Sequence, residues 1–329
     1  MNTLARIGIV SLGAYAPPNV LTNFDMEKIV DTSDEWIRTR SGISQRHIAD
    51  AATATSDVAY GAALPALERA GLSPEEIDLI IVATVSPDMP LPSTACFLQH
   101  RLGAVNAAAF DISAACTGFI YSCNIGQAMV ASGQYRNALV VGADTLSKFT
   151  DYTDRRICVL LGDGAGAAVL KPVPEDRGFR SFYLRADGSL TDLLKTPAGG
   201  SRNPASFETV QNRQHFITMN GPEVFKFAVR IMEEAVVNAL DQAGLTLDDV
   251  TYIVPHQANI RIIESAMKRL PIPAERWVVN IQNYGNTSAA SIPLALNEVY
   301  ERGGLHEGDV IVMVGFGGGL TWGATVVRW

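Results

Sequence analysis

Cys116 is the residue in this chain whose setting most directly suggests chemistry. Ala107 to Ile112 read as a small, buried strand and Thr117 to Met129 as a helix, so the thiol sits at the joint between them. Amide dipoles at a helix start stabilise a thiolate and lower its pKa. Ala114, Ala115 and Gly118 are small enough to let a substrate approach closely. A buried cysteine is more commonly a packing residue, and Cys96, Cys123 and Cys158 are read that way. His256 and Asn286 are the other two candidates. An imidazole can donate a hydrogen bond or move a proton near neutral pH, and a carboxamide donates N–H without carrying charge. Donors aimed at a developing oxyanion typically lower a barrier by about 3 kcal/mol each. Taken singly, His256 reads equally as a strand-end histidine bonded to backbone, and Asn286 as a helix cap ahead of Thr287-Ser288. The run Gly315-Phe316-Gly317-Gly318-Gly319 adds backbone N–H groups able to form a further oxyanion hole.

An internal repeat supplies the elements that would bring these residues together. Ala66-Leu-Glu-Arg-Ala-Gly-Leu-Ser-Pro-Glu-Glu-Ile77 resembles Ala239-Leu-Asp-Gln-Ala-Gly-Leu-Thr-Leu-Asp-Asp-Val250, an offset of 173 residues (66 to 239). Val141-Gly142 matches Val314-Gly315 at the same offset, and Phe110-Asp-Ile112 corresponds to Val279-Asn-Ile281 at a slightly shorter one. Helix, capped turn, strand, helix, strand is thus written twice, which indicates a duplicated α/β unit. Near-continuous apolar strands alternating with helices indicate sheets covered on both faces. Cys116 follows one strand, His256 follows Thr251 to Val254, and Asn286 lies in the turn after Ile281. Ligand sites in such sheets lie at the carboxyl ends of strands, so packing about a pseudo-twofold would let all three converge.

The rest of the chain reads as follows. Arg6 to Gly13 is a strand, Asn23 to Val30 a short helix, and Ser33 a cap for a helix carrying Trp36 and Ile37. Trp36 caps the core or, with Arg38 and Arg40, stacks on a flat ligand bearing phosphates. Thr55 to Ala70 is a helix kinked at Pro65 and ended by Gly71. Ser73 to Glu76 is a capped turn leading to a strand over Asp78 to Thr84. Pro92 to Gly103 carries a helix and Asn137 to Gly142 a strand. Gly162 to Ala168 has the composition of a dinucleotide-binding loop but not its spacing, and reads as a tight β connection before a strand over Ala167 to Leu170. Residues 174–215 are polar and loop-rich, so the halves are placed at 1–173 and 174–329. Gly221 to Leu240 is a long helix.

Composition narrows the class. The 329 residues are 47% hydrophobic and 18% charged, consistent with a large core. A net charge of −8 argues against general nucleic-acid binding. The four cysteines have no paired spacing, so neither a metal site nor a disulfide framework is indicated. Free thiols fit a reducing cytoplasm. The opening MNTLARIGIVSLGAYAP reads as a first strand and not a signal peptide, and no stretch approaches a membrane span.

Taken together, Asp31-Thr-Ser-Asp-Glu-Trp-Ile37, Ala114-Ala-Cys-Thr-Gly-Phe119, Gly162-Asp-Gly-Ala165, Pro255-His-Gln-Ala-Asn259, Asn283-Tyr-Gly-Asn-Thr-Ser288 and Gly315-Phe-Gly-Gly-Gly319 make a sequence that resembles β-ketoacyl-[acyl carrier protein] synthase III from the first strand to Trp329. The resemblance implies a thiolase-like fold, five αβαβα layers from two similar halves, in a homodimer. It implies initiation of type II fatty acid biosynthesis, with Cys116 acylated by an acyl-CoA primer. His256 and Asn286 would bind the thioester carbonyl of malonyl-[acyl carrier protein] and stabilise the enolate left by loss of carbon dioxide. Backbone N–H groups of Cys116 and Gly318 would hold the oxyanion, with Phe316 beside the decarboxylation site. Trp36 and Arg155 would sandwich adenine, Arg40 would contact a phosphate or the pantetheine mouth, and Asn259 would contact pantetheine. Lys226, Arg261, Lys268 and Arg269 would meet the acidic carrier protein. Coenzyme A enters as part of a substrate, and no separate cofactor or metal is implied.

Two positions depart from the family's pattern. Arg156 follows Arg155 where glycine is common, and Leu91 stands where a bulky aromatic often narrows the primer pocket across the dimer, which implies room for a longer or branched primer. Rival readings are weaker. A thiolase would carry a second cysteine where this chain has Phe316, and its Gly-His-Pro motif is missing near Asn286. A cysteine hydrolase shares the order Cys, His, Asn but not the motif around the nucleophile. A CoA-dependent synthase of a secondary pathway, making quinolones, ketones, polyketides or hydroxymethylglutaryl-CoA, is the nearest alternative. A non-catalytic partner of a paired synthase would not need all three residues.

Overall fold

The computed structural model describes residues 5–329. Met1 to Leu4, the start of the segment weighed as a signal peptide, lie outside the described residues. Two sheets form the frame. The first contains β1 (Ile7–Tyr15), β2 (Leu79–Ala83), β3 (Ala108–Ile112), β4 (Ala138–Thr145) and β5 (Asp163–Pro172), in the order β1-β5-β4-β2-β3. β2 runs parallel to both β3 and β4, and β5 runs antiparallel to β4 and β1. The second contains β6 (Gly178–Ala186), β7 (Tyr252–Pro255), β8 (Val310–Gly317) and β9 (Thr321–Arg328), in the order β7-β8-β9-β6. β7 and β8 are parallel, and the other two pairs are antiparallel.

Among the described residues, helices of eight residues or more are α1 (Asp34–Ser41), which packs on α6, and the six that cover the sheets: α2 (Thr55–Ala70), α3 (Thr94–Leu102), α4 (Gly118–Ala131), α5 (Gly221–Ala243), α6 (Ile260–Arg269) and α7 (Ser291–Glu301). Helices α2 and α3 cover the outer face of the first sheet, with Val58, Ala62 and Leu98 packed on Ile80 and Val82. Between the sheets lie α4 and α7, where Phe119, Ile120 and Leu296 meet Ile81 from one side and Met313 from the other. Helices α5 and α6 close the second sheet with Ile231, Met232 and Ile263 on Val312 and Val326. The result is the expected five-layered αβαβα arrangement. Its sheets are buried on both faces, and this is why β2 and β4 are apolar without alternation.

The internal repeat is visible in the backbone. α2 ends at Gly71 and α5 at Gly244, both left-handed, and each is followed by a capped turn of 3₁₀ helix that feeds β2 or β7. Ser73 and Thr246 close those turns through Glu76 and Asp249.

Several expectations need correction. β3 is not buried: it is the edge of its sheet, with Ala108 exposed and the rest half-exposed. Gly162 to Ala168 is no connection, because β5 already runs from Asp163. Its glycines admit α7, since a Cβ on Gly166 would lie 2.6 Å from Pro293. The stretch 174–215 contains a full strand, β6. The segment ending at Ile281 makes only one bridge, Ile253 to Trp277, and then turns into a short helix. Asn19–Thr22 and Gln45–Ile48 form an additional two-stranded antiparallel sheet, and the helix at Asn23 is a single turn. Cys96 is exposed, unlike Cys123 and Cys158.

Gly166→Ala should force α7 off β5 and cost about 1–3 kcal/mol of stability, read as a lower midpoint in urea. An unchanged midpoint would contradict this packing.

Candidate active site

Cys116 lies in a short 3₁₀ turn, Ala115–Thr117, between β3 and α4. Ala115 takes a left-handed φ of 46°. The turn is held by Thr117, whose hydroxyl donates to Ala114 O at 2.6 Å, and by Thr321 of β9, which donates to the same carbonyl at 3.0 Å. β8 presses on it so closely that a Cβ on Gly317 would sit 2.5 Å from Cys116 N. The thiol is buried, and burial pushes its pKa up to about 12. This reverses the lowering expected from the helix start, because desolvation outweighs it. The hydrogen-bond partner of Sγ is Ser288 Oγ at 3.6 Å.

His256 follows β7, its N–H bonded to Val314 O of β8 at 2.7 Å. Its Nδ1 lies 2.7 Å from Ser291 Oγ. Gln257 N donates to that same oxygen at 3.4 Å, and with the serine proton given to Nδ1 the ring proton of a neutral imidazole sits on Nε2. Burial pushes the imidazole down to about 3, so it is neutral. Phe316 stands edge-on to it, ring centroids 5.5 Å apart.

Asn286 is placed by a backbone bridge to Leu160 and Gly162, at 2.8 and 3.0 Å. Gly285 before it has a φ of 67°, and a side chain there would also meet Leu160 O. Asn286 Oδ1 accepts from Ser288 N at 2.9 Å, which reserves Nδ2 as a donor. Asn286 and Cys116 line two cavities that meet at this point. One, of about 500 Å³, opens past His256, Phe316, Asn259 and Arg40 to Trp36. The other, of about 380 Å³, is walled by Val85, Leu146, Ile157, Leu161, Ile217 and Met219, with Gly318 at its mouth.

The outlying candidates separate. Trp36 and Arg40 are at the open end of the first cavity, but Arg156 and not Arg155 lines it. Arg155 lies over the Trp36 ring at 5.6 Å and donates to Asp31 O. Asn259 caps α6, accepting from Arg261 N and donating to Arg40 O at 3.0 Å, so both its ends are engaged. Lys226 and Arg261 line the first cavity. Lys268 and Arg269 lie farther along α6 and are exposed, with Arg269 paired to Glu233. Leu91 does not reach the apolar cavity of its own chain. It is 84% exposed, in a shallow hollow beside β3.

Sequence reasoning missed Asp144, Gln257, Ser288 and Ser291, all buried and all bonded to the site's backbone or side chains. A lone carboxylate in the apolar run of β4 is the one signal that would have drawn attention to Asp144.

Profiles of known families agree with this geometry. The 3-oxoacyl-[acyl-carrier-protein] synthase III profile matches residues 110–188, and the profile for that family's C-terminal part matches 240–329. β-Ketoacyl-[acyl-carrier-protein] synthase III of Desulfitobacterium hafniense is 56% identical over 326 residues, covering 99% of this chain and 98% of its own. The chain belongs to the β-ketoacyl-[acyl-carrier-protein] synthase III family. The Clostridioides difficile synthase III is also 56% identical, over all of this chain and 99% of its own. A crystal structure of the Aquifex aeolicus synthase III superposes with a TM-score of 0.91 at 49% identity, covering 98% of this chain and all of that one. The αβαβα layers are therefore the thiolase fold, and the protein is an acyltransferase of the synthase III kind.

The neutral buried imidazole has a pH signature. Its folded pKa lies below the unfolded value of 6.5, so the unfolded chain takes up a proton that the folded chain refuses. The contribution is complete above pH 6.5 and is lost as pH falls toward 3. Between pH 6.5 and 5 it should remove about 2 kcal/mol, measured by urea denaturation. His256→Asn should flatten that part of the curve, and an equal slope in both proteins would contradict a neutral, buried His256.

Proposed function

We propose that this chain condenses an acyl-CoA primer with malonyl-[acyl carrier protein], giving 3-oxoacyl-[acyl carrier protein], CoA and carbon dioxide, the first chain-building step of type II fatty acid synthesis. One observation carries the reading: two cavities meet at Cys116 and Asn286, and neutral His256 lines the one that leads out. Sγ attacks the primer carbonyl. Its S–C bond forms, the bond to CoA sulfur breaks, and CoA leaves with the thiol proton. The oxyanion meets the N–H groups of Cys116 and Gly318. The acyl tail then occupies the apolar cavity, which has far more room than a two-carbon group needs.

Malonyl thioester enters by the vacated tunnel. Its carbonyl oxygen accepts from His256 Nε2 and Asn286 Nδ2, the bond to the carboxylate breaks, and the electron pair forms an enolate on that oxygen. Phe316 keeps water from the departing carboxylate. The enolate carbon attacks acyl-Cys116, a C–C bond forms, and the thiolate leaves and takes up a proton. Two neutral donors suit this step, since a water-activating base would hydrolyse the acyl-enzyme.

The same reading assigns Trp36, Arg40 and Arg155 to the nucleotide end of CoA, with Arg155 moving off the indole to admit adenine, and Asn259 to the pantetheine wall. Lys226, Arg261, Lys268 and Arg269 face the acidic carrier protein. The halves 1–173 and 174–329 are copies of one ancestral unit. The protein works in the cytoplasm as a homodimer joined along β3, whose outer edge is unpaired, and Leu91 of each chain then borders the primer pocket of the other. No cofactor is required.

Cys116→Ala should abolish acyl transfer from labelled acyl-CoA yet still release carbon dioxide from malonyl-carrier protein. His256→Ala or Asn286→Ala should lower that release by about 10²-fold or more. Acylation of the Cys116→Ala protein, or absence of condensation with straight, branched and longer primers alike, would overturn the assignment. Raising ionic strength should raise KM for the carrier protein more than KM for the primer; equal effects would remove the basic rim from the docking site.

A further inference from the structure

Gln257 is buried between the chain segments that carry His256 and Asn286. Its side-chain amide makes four hydrogen bonds. Nε2 donates to Pro255 O of β7 at 2.7 Å and to Val278 O at 3.1 Å. Oε1 accepts from Asn280 N at 3.1 Å and from Ile281 N at 3.2 Å. A carboxamide has two N–H donors and two oxygen lone pairs, so this one is used completely. Two carbonyls on one side and two N–H groups on the other fix which way it points. A carboxylate of the same shape would turn an oxygen toward two carbonyls, and an apolar side chain would leave buried N–H groups unpaired.

Those two N–H groups open the short helix Ile281–Tyr284. The first N–H groups of a helix have no partner within it, and Asn280 at its start makes no side-chain capping bond. Gln257 supplies the cap from 23 residues earlier in the chain. The helix then runs directly into Gly285 and Asn286. On the other side, Gln257 N donates to Ser291 Oγ, the hydroxyl that meets His256 Nδ1. Ser291 thus fixes the ring of His256, and Gln257 fixes the chain that delivers Asn286. Gln257 itself lines neither of the cavities that meet at Cys116.

We propose that Gln257 is a positioning residue for decarboxylation, setting the spacing between His256 Nε2 and Asn286 Nδ2, the two donors that receive the malonyl carbonyl. The proposal rests on that reading of His256 and Asn286. Its consequence is selective. Acyl transfer to Cys116 uses the thiol and the N–H groups of Cys116 and Gly318, which belong to other elements. Loss of carbon dioxide uses both of the donors that Gln257 spaces, and a misplacement of about 1 Å at a reacting centre can cost about 10²-fold.

The test measures the two half-reactions apart on the full-length protein: labelled acyl transfer from acyl-CoA with Cys116 intact, and carbon dioxide release from malonyl-carrier protein in a Cys116→Ala background. Gln257→Leu loses all four bonds at similar volume. It should lower carbon dioxide release by about 10- to 100-fold, while acyl transfer stays within about twofold of the parent. Gln257→Glu keeps the bonds from Asn280 and Ile281 and should show the same selectivity with a smaller loss. Thr325→Val removes a buried hydroxyl of β9 that donates to Ser181 O at 2.8 Å, outside both cavities. It should leave the ratio of the two rates unchanged, as loosening of the fold alone would. Equal loss of both half-reactions in folded Gln257→Leu, retention of both, or a larger loss of acyl transfer overturns the proposal. Should Gln257→Leu fail to fold, Gln257→Glu decides it: a selective loss of carbon dioxide release supports the spacing role, and an equal loss or none overturns it. If Cys116→Ala alone releases no carbon dioxide, or adding His256→Ala changes nothing, the reading of the reaction fails. If those controls behave and only the Gln257 variants lack the selective loss, this inference alone fails.

Discussion

The site depends on two backbone turns pressed against the strand of the opposite half. Ala115 opens the turn that carries Cys116, and Ser288 opens its counterpart 173 residues later. Both adopt positive φ, 46° and 51°, without being glycine. Such strain costs on the order of 1–3 kcal/mol per residue and persists only where surroundings over-determine it. Here the surroundings are strands with no side chain in the way. Gly142 of β4 sits under the second turn, where a Cβ would lie 2.3 Å from Ala289 O, and Gly317 of β8 lies as tightly against the first. Each turn is pressed onto a strand of the other sheet, so Cys116 and the proposed oxyanion donors are placed together with the interface between the halves.

That constraint also explains the electrostatics. The turns, α4 and α7 fill the space between two sheets that are themselves covered, so Cys116 and His256 are buried. The consequences are a thiol with a raised pKa and an imidazole with a depressed one. Both groups therefore rest neutral. Catalysis of this kind relies on pre-placed dipoles more than on resting ions, and the fixed orientation of His256 by Ser291 and of Asn286 by Ser288 supplies those dipoles. Two cavities meet at Cys116: one is walled by Leu146, Ile157, Leu161 and Ile217, and the other leads out past Phe316 to Trp36, Arg40 and Arg261.

Much of this was legible in the sequence. The capped turns after Gly71 and Gly244 were readable because capping is local, and the repeat of those turns pointed to the convergence of Cys116, His256 and Asn286 at strand ends. Edges were harder. β3 has the apolar residues of a central strand, and nothing local distinguishes an edge that awaits a partner from one already covered. β6 was hidden for the opposite reason, because Arg180 and Arg185 interrupt a strand whose alternate residues Phe179, Ser181 and Tyr183 are buried. The thiol's raised pKa and the bonds of Ser288, Ser291 and Asp144 depend on residues distant in the chain. They emerge only when the halves are packed.

In the proposed reaction Cys116 divides an acyl chamber from a thioester tunnel. A crystal structure of the protein after reaction with an acyl-CoA primer tests it most directly. The expected result is a thioester on Cys116 Sγ, its carbonyl oxygen between the N–H groups of Cys116 and Gly318, and its tail among Leu146, Ile157 and Leu161. An acyl tail lying in the tunnel toward Trp36, or an acyl group on another residue, would contradict it.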